Sequence, residues 1–96
     1  MKEEYIRRKA IKQLNAGKWV VWYPYRTRFR KEKDMFGVYD LVAVKEDKTR
    51  FIQLTTLPNI RARERKVKAF LEKNNVSVVS EVWGLQKDGI FRIINI

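Results

Sequence analysis

Two hydrophobic periods divide this chain. Between Lys2 and Ala16, Ile6, Ala10 and Leu14, with Ile11 beside them, recur at helical spacing, and basic residues fill the other faces. This predicts an amphipathic helix ending near Gly17. From Trp19 to Tyr23 the pattern changes to a short aromatic and β-branched strand that Pro24 should end or push to an edge. Val38 to Lys45 and Arg50 to Thr55 are strands, with Glu46-Asp47-Lys48-Thr49 as turn material between them. Helical spacing returns after Pro58 and Asn59, where Ile60, Val67, Phe70 and Leu71 mark the buried stripe of a second helix reaching about Lys73. Val76 to Trp83 and Ile90 to Ile96 are strands joined through Lys87-Asp88-Gly89, whose Asp-Gly pair is a turn signal. The order is helix, three strands, helix, two strands, without an internal repeat or linker. An α/β class chain forming one domain over residues 1–96 is expected.

The central hairpin has a derivable register. A loop centred between Asp47 and Lys48 sets Asp40 opposite Thr55 and Val42 opposite Gln53. Paired residues, and residues two apart on one strand, share a face. Asp40, Gln53 and Thr55 therefore point one way, and Leu41, Ala43, Ile52 and Leu54 point the other way into a core. Three polar side chains on strands this apolar need partners, because burying them unpaired costs about 1–3 kcal/mol each.

Composition narrows the chemistry. The chain has no histidine and no cysteine, which removes imidazole bases, thiol nucleophiles and Cys/His zinc sites. Any catalysis must run on carboxylates, amides, hydroxyls, lysines and a hard cation held by oxygen. No N-terminal apolar stretch reads as a signal peptide or membrane span, so a cytoplasmic protein with no membrane partner is expected.

Charge supplies the partner class. Twenty-two Lys+Arg against eleven Asp+Glu give net +11, concentrated in residues 1–33, with eleven basic and three acidic residues, and 60–73, with six and two. Such density on a small domain favours a polyanion. Arg26, Arg28 and Arg30 form a basic arm, and Arg61, Arg65 and Lys68 lie on the outer face of the second helix, all six being candidate nucleic-acid contacts. Trp19, Trp22, Tyr23, Tyr25 and Phe29 leave open a reading as stacking platforms for RNA or single strands.

The element order, with GVYDLVAV delivering an aspartate on the second strand and FIQLT carrying a polar-x-polar pair on the third, resembles the PD-(D/E)XK nuclease superfamily. RARERKVKAF looks like the basic helix that follows the signature in small archaeal and phage resolvase-like relatives. The resemblance implies a restriction-endonuclease-like αβββαβ core, a mixed central sheet flanked by two helices. It also implies a divalent-metal-dependent endonuclease acting on duplex or branched DNA, with a catalytically inactive DNA-binding module as the alternative. Asp40, the Gln53 side-chain oxygen and the Leu54 carbonyl would hold Mg²⁺ or Mn²⁺, joined by Glu3 from the first helix. Gln53 stands at the family's acidic position and Thr55 at its lysine position, so one negative charge and the catalytic ammonium are both absent. Arg63 or Lys66 would supply the replacement cation, with Glu64 also on the turn that faces the sheet. Resolvase-like domains work as homodimers, and the apolar last strand is a candidate interface.

Overall fold

The computed structural model describes residues 3–23 and 36–96, with Glu3 described by its backbone alone. The basic arm with Arg26, Arg28 and Arg30, the aromatics Tyr25 and Phe29, and the Glu3 side chain lie outside the described residues. Helix α1 (Glu3–Ala16) leads to strands β1 (Val20–Trp22), β2 (Leu41–Lys45) and β3 (Lys48–Thr56). A 3-10 turn (Leu57–Asn59) then enters α2 (Ile60–Asn74), followed by β4 (Ser80–Leu85) and β5 (Phe91–Asn95). The five strands form one mixed sheet in the order β1-β2-β3-β4-β5. All neighbours are antiparallel except β3 and β4, which run parallel because α2 carries the chain back across the sheet.

Each helix covers one face. Ile6, Ala10 and Leu14 of α1 pack on Leu41, Ala43, Ile52, Leu54, Trp83 and Leu85, as the periodicity requires. Ile60 and Val67 of α2 pack with Val38, Tyr39 and Val82, and Phe51, Phe70, Leu71 and Ile94 close around them. The faces belong to alternate residues of β3 and β4, the only arrangement a two-residue side-chain period permits. Tyr39 is completely buried in the α2 layer, and its hydroxyl lies 2.6 Å from Ser80 Oγ.

The hairpin register differs from the expected one by two positions. The loop is only Glu46 and Asp47, with Lys45 opposite Lys48, so Val42 faces Phe51 rather than Gln53 and Asp40 comes beside Gln53 rather than Thr55. Glu46 takes the left-handed conformation (φ +57°), a position where a tight hairpin usually carries Gly or Asn. Without that signal, Lys48 and Thr49 read as loop although they open β3. A two-residue slip preserves side-chain faces, so the division into two layers is unchanged. β4 starts four residues later than expected, at Ser80, and the left-handed residue ending α1 is Lys18 rather than Gly17. Trp19 N–H then reaches back to the Leu14 carbonyl at 3.0 Å, closing the helix end.

Gly84 fixes how closely α2 approaches the sheet. A Cβ built there would lie 2.8 Å from Ile60 Cδ1 and 3.2 Å from its Cγ1. Gly84→Ala is expected to lower unfolding free energy by about 1–3 kcal/mol, with Ile60→Val in the same chain restoring part of it. Urea denaturation of the two single variants and the double variant measures this coupling.

Candidate functional site

The bend at Asp40 and the middle of β3 bring three of the expected site residues together. Asp40 N–H donates to the Ile52 carbonyl at 2.8 Å, which seats its side chain beside β3. Asp40 Oδ2 then accepts two hydrogen bonds at 2.7 Å, from the Leu54 backbone N–H and from Gln53 Nε2. Gln53 Nε2 also donates to the Leu54 carbonyl at 3.1 Å. All of this is buried: Asp40 is 9 % exposed, Gln53 4 % and Leu54 8 %. Among the described residues, Gln53 Oε1 has no hydrogen-bond partner although it is shut away from solvent, a cost of about 1–3 kcal/mol.

The orientation of the amide follows from these neighbours. With Nε2 inward, two N–H groups meet two acceptors; with Oε1 inward, that oxygen would face the Asp40 and Leu54 oxygens with no proton to share with either. The group between the Asp40 carboxylate and the Leu54 carbonyl is therefore a donor. A divalent cation needs oxygen at that point, and an N–H donor there repels it. As arranged, the three residues do not fit one. Among the described residues, no group of three or more Asp, Glu, His or Cys side chains could hold a metal ion.

Thr55 is buried at 7 % exposure opposite Gly84, beneath the start of α2 where Ile60 sits. Arg63, on the next turn, is half-buried and makes no hydrogen bond or ion pair with another described residue; no contact carries its guanidinium to Gln53 or Thr55. Glu64 is turned instead to the helix surface, where Arg61 at 2.9 Å and Lys68 at 3.2 Å flank it. The hydrogen bond from Arg61, then that from Lys68, holds the Glu64 carboxyl below its ordinary range. Arg61, Arg65, Lys66 and Lys68 are all exposed.

On the opposite face lies a second polar cluster that the sequence pattern did not reveal. Arg50 forks onto both oxygens of Glu81, with Nε to Oε2 at 2.7 Å, and Trp83 Nε1 donates to Glu81 Oε1 at 2.8 Å. The guanidinium lies over the rings of Trp19, at 4.8 Å, and Trp83, at 5.5 Å. Arg50 and Glu81 are isolated opposite charges in apolar strands, and only the parallel β3–β4 register, which linear spacing does not encode, makes them neighbours. Trp19 is thereby half-buried against the α1 layer, whereas Trp22 and Tyr23 on the edge are 51 % and 40 % exposed.

Two stability predictions follow from these contacts. Asp40→Ala, which strands the Leu54 N–H and the Gln53 amide, should destabilise the protein by about 1–3 kcal/mol in denaturant unfolding. A carboxylate kept only to bind metal would instead be replaced at little cost. Burial pushes the Tyr39 hydroxyl above its ordinary value of 10.0, so its share of stability is complete below pH 10 and lost as pH rises through the higher folded value. Tyr39→Phe should flatten the fall in melting temperature above pH 10 relative to wild type.

No protein-family model and no curated protein matches this chain. The fold is an α/β domain with a five-stranded mixed sheet between two helices, and among its described residues no helix is long and apolar enough to cross a membrane.

Proposed function

We propose that this chain is a DNA-binding domain of PD-(D/E)XK nuclease-like architecture whose catalytic centre is closed, recognising duplex or branched DNA by phosphate contacts. The observation that carries this reading is the Gln53 amide nitrogen bridging the Asp40 carboxylate and the Leu54 carbonyl, at the point where such a nuclease requires its cation. The order α1-β1-β2-β3-α2-β4 agrees with the αβββαβ core, with β5 added at the edge. Net charge of +11 and the exposed Arg61, Arg65 and Lys68 of α2 favour a polyanion. Glu64 offsets part of that field by pairing with Arg61 and Lys68.

The second reading is a Mg²⁺- or Mn²⁺-dependent endonuclease, and the orphaned Gln53 Oε1 favours it, since a turned amide would offer that oxygen toward Asp40. A homodimer remains compatible with β5 at the sheet edge, although Ile93 and Ile94 of β5 already pack in the two layers of their own chain.

Binding to a four-way junction and to linear duplex should weaken steeply with salt. Replacing Arg61, Arg65 and Lys68 together by Ala should lower the slope of log affinity against log salt by about 3. Glu64→Gln should strengthen binding by releasing two cations. Supercoiled plasmid and junction should stay intact with Mg²⁺, Mn²⁺ or EDTA. Metal-dependent cutting lost in Asp40→Ala would establish the second reading, and a flat salt response would sink both.

A further inference from the structure

We propose that the Gln53 side-chain amide is a built-in substitute for a cation, a neutral clasp that excludes divalent metal from the Asp40 site; the inference deepens the closed-centre reading and rests on it. Its Nε2 carries two N–H groups with partial positive charge, and each is spent on an oxygen a metal would otherwise take: Asp40 Oδ2 at 2.7 Å and the Leu54 carbonyl at 3.1 Å. The Leu54 N–H, also at 2.7 Å from Oδ2, is a second neutral donor on that oxygen.

With both donors inward, Oε1 is left buried and without a hydrogen-bond partner among the described residues. A solvated amide would satisfy both ends; this one forgoes its acceptor bonds to keep its donors on the carboxylate and carbonyl. A cation entering the site must break both N–H bonds and turn the amide over, and would then meet one formal negative charge. Gln53→Glu changes one atom of the side chain in kind and reverses both conditions. It removes the two donors and adds a second carboxylate beside Asp40, so that two like charges share a buried site until a cation separates them.

The test is a Mn²⁺ titration of the full chain by calorimetry and by electron paramagnetic resonance of the free ion. Wild type, Gln53→Glu and the Asp40→Asn/Gln53→Glu double variant are compared, with melting temperatures recorded with and without the ion. Gln53→Glu is expected to bind on the order of tenfold or more tighter than wild type and to melt higher with Mn²⁺. The double variant should lose both gains. Wild type binding as tightly as the single variant overturns the proposal, as does a folded Gln53→Glu that gains no affinity. If Gln53→Glu does not fold even with Mn²⁺, the wild type decides by NMR. The Gln53 side-chain amide protons should exchange far more slowly than those of exposed Gln13, and equal exchange rates overturn the clasp. Loss of the clasp in these measurements leaves salt-sensitive DNA binding standing, and a failure to bind DNA leaves the ion titration unaffected.

Discussion

Everything in this domain depends on β3 being buried on both faces. Paired with β2 on one side and β4 on the other, it sends Arg50, Ile52 and Leu54 to the α1 layer and Phe51, Gln53 and Thr55 to the α2 layer. Ile52, Gln53, Leu54 and Thr55 are buried, and only Arg50 and Phe51 at the start of these sets are partly exposed. A polar side chain on this strand must therefore find its partners inside the protein.

The two polar clusters meet that demand by different means. Glu81 is matched by a guanidinium held between indole rings and by an indole N–H, an ion pair with both carboxylate oxygens engaged. Asp40 Oδ2 is held by a backbone N–H and a neutral amide. Breaking the first would leave an uncompensated buried charge. The second depends in part on the identity of one neutral side chain, Gln53, rather than on an opposite charge.

Much of this was legible in the sequence where one period dominates over a long segment. Ile6, Ala10 and Leu14, and Ile60 and Val67, gave both helices and their inward stripes, and alternation alone put Leu41, Ala43, Ile52 and Leu54 on one face. The exact partner of Asp40 was not legible, because Glu46 adopts a left-handed turn that nothing in its side chain announces. The shared face of Asp40, Gln53 and Thr55 survived the error since slippage by two leaves alternation intact. What meets across the parallel seam, Ile52 opposite Glu81 with the Arg50 side chain reaching that carboxylate, and Thr55 opposite Gly84, depends on where α2 delivers β4, and a helix crossover carries no register signal. The inward amide nitrogen of Gln53 was equally out of reach, being a choice between two orientations that only its neighbours decide.

The parallel seam also orders the assembly of the molecule in time. Asp40, Gln53 and Leu54 belong to one hairpin closed by a two-residue loop, so they meet after little chain entropy has been lost. β3 and β4 can join only once α2 has formed and been laid across the sheet, with Ile60 settled over Gly84. That non-local step carries the larger loop-closure cost. Asp40, Gln53 and Leu54 are thus joined by local contacts, whereas the helix bearing the basic surface is held by distant ones.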